Sequence, residues 1–301
     1  MVGPRTPSMR GRVAVVTGGT SGIGLEIVRG LALRGAHTVV VGRGKGRASS
    51  VAEAIRGRTG NSQVEGVEVR DLSLRAGWST LADELLRRFP AIHVLVNNAG
   101  AYYVRREVTA DGFERSFALN ALAPLGLTTL LRDRLRASAP ARVVNIASAA
   151  HEGYAVDFND LQSADYHGFE AYARSKLELI LLSRELARRF AGTGVTVNSL
   201  HPGLIRSGFA SNNRETSARL LRLLIFLFGR GVRAGAETAL RVAGDSDLEH
   251  VSGEYFSRGR VVTGSSASRD LSTARRLYEV CVPLTQVPEI PLPPELSEPT
   301  R

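Results

Sequence analysis

Cysteine is almost missing: Cys281 stands alone among 301 residues. That excludes an internal disulfide framework and a cysteine-built zinc site. Lysine is nearly as scarce, since Lys45 and Lys176 are the only two among 39 cationic residues. Where arginine carries almost all the positive charge, a retained lysine suggests a place for a compact ammonium that can tune a neighbour. Aromatic residues make up only 6%, and no basic run is interleaved with them. The formal net charge of +10 therefore reads as charge spread over solvated helix faces, and no nucleic-acid partner is expected. No stretch of about 18 apolar residues runs free of charge, so no integral membrane segment is expected. Met1 to Gly11 is polar, carries Arg5 and Arg10, and lacks the apolar run of a secretory signal; a cytoplasmic protein is expected. His151, His167 and His201 fit no metal-ligand spacing, so no metal is expected.

What the chain has in quantity is alternation. Short β-branched runs at Val13–Thr17, Thr38–Val41, Val64–Glu68, Val94–Asn97, Arg142–Ala147 and Thr196–Leu200 predict strands. Between and after them, helical patterns cover Gly22–Arg34, Arg47–Arg58, Gly77–Phe89, Phe113–Ala137, Phe169–Ala191 and Ala236–Val242. Several of the strands are apolar on both faces, as in a buried parallel sheet. The pattern predicts an α/β fold: one Rossmann-type, doubly wound parallel sheet flanked by helices. Residues 11–282 form the expected domain, with a flexible tail at 1–10 and a proline-rich tail at 283–301.

The first strand runs into Gly18-Gly19-Thr20-Ser21-Gly22-Ile23-Gly24 and then a helix. Gly18, Gly22 and Gly24 let the backbone turn tightly beside a pyrophosphate, and the helix N-terminus supplies N–H groups and positive dipole. At the head of the first β–α unit this loop is a dinucleotide site, which brings in Thr20, Ser21 and Ile23. NAD-preferring sites place an acid about 20 residues further on. Here the second strand ends in Gly42-Arg43 with no acid, and Arg43 can pair with a 2′-phosphate. NADP(H) is the expected cofactor.

Three more signals follow in order: Asn97-Asn98-Ala99-Gly100 after one strand, Ser148 after the next, and Tyr172-Ala173-Arg174-Ser175-Lys176 in a helix. The i,i+4 spacing puts Tyr172 and Lys176 on one helix face. A phenol titrates near 10, and a neighbouring ammonium, with the positive nicotinamide ring, is expected to lower it. Ser148 can then hydrogen-bond a substrate oxygen while Tyr172 exchanges the proton.

Together, these residues resemble the short-chain dehydrogenase/reductase family, over nearly the whole chain. The resemblance implies catalytic roles for Asn120, Ser148, Tyr172 and Lys176, with Asn120 in a proton relay. It implies that Asp71 and Leu72 contact adenine and that Asn98, Ala99 and Gly100 line the ribose side. Pro202, Gly203, Ile205 and Ser207 would line the nicotinamide side, and Tyr172 and Lys176 also touch cofactor. The segments Val143–His151, Leu200–Gly203 and Ser252–Phe256 are similar to the retinol dehydrogenase and WW-domain oxidoreductase branch. By the same resemblance the chain is a homo-oligomer built through Phe113–Ala137 and Phe169–Ala191.

The expected function is NADP(H)-dependent interconversion of a carbonyl and an alcohol on a medium-sized, mostly apolar small molecule. The alternatives are non-redox chemistry on the same fold (cyclisation, dehydration, epimerisation) or NADP(H) binding without turnover. The apolar run Leu220–Phe228 fits a core helix, a peripheral membrane contact, or a substrate lid over about 208–230. Chain order after the His201–Ser207 turn favours the lid.

Overall fold

Val13–Thr17 is buried at all five positions and forms β1. The computed structural model describes residues 8–203 and 231–296. Within them β1 is joined by β2 (His37–Arg43), β3 (Val64–Val69), β4 (Val94–Asn97), β5 (Ala141–Ile146), β6 (Val195–His201), β7 (Tyr255–Ser257) and β8 (Arg260–Val261). They make one sheet in the order β3-β2-β1-β4-β5-β6-β7-β8, parallel throughout except for the β7–β8 pair. The strand order reverses between β1 and β4, which opens a crevice beyond their carboxyl ends.

The sheet is covered on both sides, and alternate residues of each strand serve the two cores. Val13, Val15, Val39 and Val41 face one cluster; Ala14, Val16 and Val40 face the other. The second cluster is closed by α1 (Gly22–Leu33), α2 (Arg47–Thr59) and α8 (Val232–Gly244). The first is closed by α3 (Arg75–Arg88), α5 (Ala123–Leu130), α7 (Gly168–Arg189) and α9 (Leu271–Thr285). Trp78, Phe117 and Phe190 are fully buried there; each large apolar side chain so buried stabilises the fold by about 1.5–3 kcal/mol.

The helix expected over Phe113–Ala137 is broken into pieces. Glu114 caps α4 (Arg115–Phe117), a π turn spans Ala118–Leu122, and α5 is followed by α6 (Arg132–Ala137). Pro124 sits in the first turn of α5 and has no N–H to give the Asn120 carbonyl its α-helical bond. The widened turn lies where that bond would have been.

Residues assigned to both expected tails pack against the domain. Met9 is buried, and its N–H donates to Arg34 O at 2.8 Å. At the other end α9 carries Pro283 within its last turn, and Ile290 beyond it is fully buried. The anchor is Arg189, whose guanidinium stacks 3.8 Å above the Tyr278 ring and donates to Glu289 at 2.6 Å and to the Ile290 carbonyl. Buried Glu185 pairs with the same arginine at 2.8 Å. A compositional reading misses this because the segment is held by side chains far away in sequence.

From Ala171 to Phe190 only Arg174, Arg184 and Arg188 escape burial. The helix α7 packs against β6 and against α9, whose Leu277, Tyr278 and Cys281 belong to the same core. The helix expected to meet another subunit therefore also has α9 of its own chain as a neighbour. No described helix is long and apolar enough to cross a membrane. The lid expected over 208–230, with Leu220–Phe228, lies outside the described residues.

Candidate active site

At the carboxyl end of β1, Gly18 and Gly22 take φ of 64° and 56°, the left-handed region open to glycine. A Cβ on Gly24 would lie 2.3 Å from Gly18 O and 2.4 Å from Asn98 Nδ2. Ser21 leads into α1 without a side-chain cap, and no acid stands in the first turn. The first N–H groups of a 12-residue helix are therefore left for an anion. The loop fits the pyrophosphate of a dinucleotide. Thr20 turns its methyl toward Gly42, while Ile23 packs partly against the core on the α1 side.

Asn98 braces this loop. Its Nδ2 donates to Thr17 O at 2.9 Å and Gly18 O at 3.2 Å. Thr17 Oγ1 accepts from the N–H groups of Asn98 at 3.0 Å and Ala99 at 3.1 Å. Thr17 has no signal in the sequence beyond its place at a strand end, yet it ties the two cofactor-side turns together. Ala99 packs partly against the first core, and a Cβ on Gly100 would meet Asn120 Oδ1 at 2.9 Å and Lys176 Nζ at 3.2 Å.

On the adenine side, Arg43 is exposed at the end of β2. The Asp71 carboxylate accepts from Ser73 N at 2.8 Å and Ser73 Oγ at 2.7 Å, and pairs with Arg115 at 3.0 Å. Burial raises its pKa, but the Ser73 hydrogen bonds and the charges of Arg115 and Arg43 outweigh burial and hold it below the ordinary value. Leu72 is buried in the first core. Gly77 of α3 was missed by motif reading; a Cβ there would lie 1.8 Å from Asp71 O.

Ser148, Tyr172 and Lys176 are brought together. Ser148 follows β5 in extended backbone, with φ −157° and ψ 149°, and its hydroxyl hydrogen-bonds the Tyr172 side chain. Tyr172 and Lys176 are both buried on α7, and Lys176 Nζ donates to Ile146 O at 2.9 Å. Nζ lies 5.8 Å from the centre of the Tyr172 ring, and Tyr102 packs edge-on against that ring at 6.0 Å. Burial governs the titration of both. The phenol is pushed up to about 12 despite the Ser148 hydrogen bond, and the amine is pushed down to about 7. Desolvation thus outweighs the Ser148 hydrogen bond at the phenol, while the expected lowering counts on the positive nicotinamide ring as well as the ammonium.

Asn120 lies in the π turn and its side chain is fully engaged. Oδ1 accepts from Ala101 N, and Nδ2 donates to Ala101 O and Ser175 Oγ, each at 3.0 Å. Ser175 in turn donates to Tyr172 O at 2.7 Å, so the amide is a strut between the Ala101 turn and α7. Asn97 is structural too, donating to Asn145 Oδ1 at 2.8 Å inside the core. Pro202 and Gly203 follow β6, with Gly203 at φ 95°; Ile205 and Ser207 lie outside the described residues. No group of three or more potential ligands for a metal occurs among the described residues.

A family model described as short chain dehydrogenase matches residues 12–218. The chain is 42% identical over 271 residues to retinol dehydrogenase 12 of Mus musculus, covering 90% of this chain and 85% of that one. Retinol dehydrogenase 11 of Homo sapiens is 38% identical over 284 residues, covering 94% and 88%. Among solved structures, an uncharacterised protein of Mycobacterium paratuberculosis aligns with a TM-score of 0.74 at 29% identity, covering 96% of this chain and 98% of that one. The RhlG/NADP active-site complex of Pseudomonas aeruginosa aligns with a TM-score of 0.65 at 28% identity, covering 83% and 95%. With a nucleotide-shaped glycine loop and a Ser-Tyr-Lys cluster on the matching scaffold, the chain belongs to the short-chain dehydrogenase/reductase family, in the branch of the retinol dehydrogenases.

Proposed function

We propose that this chain is an NADP(H)-dependent oxidoreductase that interconverts a carbonyl and an alcohol on a medium-sized, apolar substrate. The observation that carries the reading is the meeting of Ser148, Tyr172 and Lys176 beside Gly100, at the mouth of the glycine-loop crevice. A nicotinamide dinucleotide held by Gly18–Gly24, Asn98–Gly100, Tyr172 and Lys176 supplies or accepts the hydride. Ser148 holds the substrate oxygen by a hydrogen bond. Tyr172, kept protonated by burial, is a proton donor to that oxygen when a carbonyl is reduced. Lys176 holds the ribose and stands close enough to stabilise negative charge on the phenol as the proton leaves. Since the Asn120 side chain is spent as a strut, its backbone carbonyl, deprived of an α-helical donor by Pro124, is the group left for a relay water.

Preference for NADP(H) is supported by exposed Arg43 and by glycine, not an acid, at position 42. It is supported also by the NADP named in the RhlG complex. The apolar substrate class rests on Tyr102, Val104 and Ala150 clustered around Tyr172, and on relatives named retinol dehydrogenases. Retinoid-like, terpenoid or polyketide-like aldehydes and ketones are the compounds to try. A carbonyl panel followed by loss of NADPH absorbance, with products identified, tests the proposal; a pure protein that binds NADPH yet oxidises it with no member of the panel would overturn it.

A further inference from the structure

The peptide joining Ser148 to Ala149 is held by an imidazole on each side. Its carbonyl accepts from His151 Nδ1 at 2.7 Å, and its N–H donates to His201 Nδ1 at 3.1 Å. A trans peptide points those two groups in opposite directions, so the rings grip one plane from opposite edges. A carbonyl can only accept and an amide N–H can only donate. His151 must therefore carry its proton on Nδ1, and His201 must present a bare Nδ1 with its proton on Nε2. Two identical side chains are used in opposite tautomers on a single peptide.

The surroundings suit these assignments. His151 is fully buried, packs edge-on against the Tyr255 ring at 5.2 Å, and leaves Nε2 facing Ser265 N at 3.5 Å. His201 ends β6, and burial lowers its pKa, aided by Arg258 and opposed by Glu152. Rotation of this peptide would leave Ser148 Cβ in place but carry Ala150 N away from Ser148 Oγ, breaking the 3.2 Å contact that fixes the hydroxyl's rotamer toward Tyr172. Both histidines bond the peptide that follows Ser148, so their influence passes through Ser148.

We infer that His151 and His201 are positioning residues for Ser148, clamping the peptide that follows it in the one orientation that presents its hydroxyl to the reacting oxygen. This rests on the reading of Ser148 given above. Two measurements test it, one of them independent of turnover.

Nitrogen-15 NMR of histidine-labelled protein reads the tautomers directly: His151 is expected as the Nδ1–H form and His201 as the Nε2–H form, and the reverse pair would overturn the clamp whatever the activity. For kinetics, asparagine places a polar atom where Nδ1 stands, whereas leucine does not. His201→Asn should keep most of kcat, and His201→Leu should lose about tenfold, the scale of one buried hydrogen bond. KM, NADPH affinity and thermal midpoint should scarcely move. In a Ser148→Ala background His201→Leu should cost less than about twofold more, because the group being positioned is gone. If Ser148→Ala is inactive but the Asn and Leu variants at 201 behave alike, the positioning role alone is overturned. If Ser148→Ala turns over like the parent, the reading of Ser148 falls, and the clamp's purpose with it.

Discussion

The Thr20 methyl group fills the place that a side chain on residue 42 would take: a Cβ on Gly42 would lie 2.3 Å from Thr20 Cγ2. The glycine near the end of β2 thus makes room for the glycine loop. Gly42→Ala should push Thr20 aside and weaken NADPH binding, with overpacking of this kind costing about 1–3 kcal/mol. Thr20→Ser removes the offending methyl and keeps the hydroxyl, so the double variant should regain most of the affinity. Calorimetric titration compares the three proteins; a double variant no better than Gly42→Ala would contradict the argument.

Arg43 stands exposed beyond that glycine, and its charge is felt at Asp71 across the adenine side. NADPH should bind more tightly than NADH by roughly ten- to hundredfold, from a charge-assisted contact of about 1.5–3 kcal/mol. Arg43→Ala should erase most of that difference by lowering NADPH affinity alone. Unchanged preference in the variant would assign the 2′-phosphate to another cation.

Tyr172→Phe should abolish turnover and leave NADPH binding almost intact, since the hydroxyl serves the substrate oxygen. Loss of general acid catalysis costs on the order of 10²–10⁴ in rate. Lys176→Arg should fail as well, because a planar guanidinium cannot fit the enclosed contact from Nζ to Ile146 O. Single-turnover rates and cofactor titrations, taken on the same preparations, separate the two effects. A Tyr172→Phe protein with near-parental kcat would require another proton donor.

Glu178, two residues beyond Lys176, is buried, and one of its carboxylate oxygens has no hydrogen-bond partner. Burial raises its pKa from 4.5 to about 8, with Glu114 adding to the rise and Arg174 opposing it. Between those two values the unfolded chain has given up a proton that the folded chain keeps. This group therefore lowers stability progressively as pH climbs through that window. Glu178→Gln should remove that part of the slope, gaining on the order of a few kcal/mol at the alkaline end relative to the parent. Denaturant unfolding of both proteins across the window gives the comparison; parallel curves would mean that the carboxyl finds a partner when charged.

Much of this fold could be read from periodicity alone, because β1, β2, β4, β5 and β6 are mostly buried runs and, with half-buried β3, keep a βα rhythm. The β7 and β8 strands could not: Tyr255–Ser257 and Arg260–Val261 are too short to carry a period, and β7 is placed by the edge of β6 and β8 by β7. The helix α9 was hidden by Pro283, which is tolerated in its last turn while Tyr278, Cys281 and Val282 are buried. At the site, spacing was enough to bring Tyr172 beside Lys176. It was silent on how deeply the pair is enclosed, and enclosure sets the direction of both pKa shifts. The Asn98 and Asn120 amides face backbone groups of turns distant in sequence, which no local pattern encodes.

Wrapping α7 inside its own chain has a kinetic meaning. The helix bearing Tyr172 and Lys176 packs against α9 of its own chain, whose Leu277, Tyr278 and Cys281 share its core, so the pair is seated by intramolecular contacts. Specific activity should then be indifferent to dilution whether or not copies associate. The seat of the reacting pair would travel with each molecule, owing nothing to a neighbour.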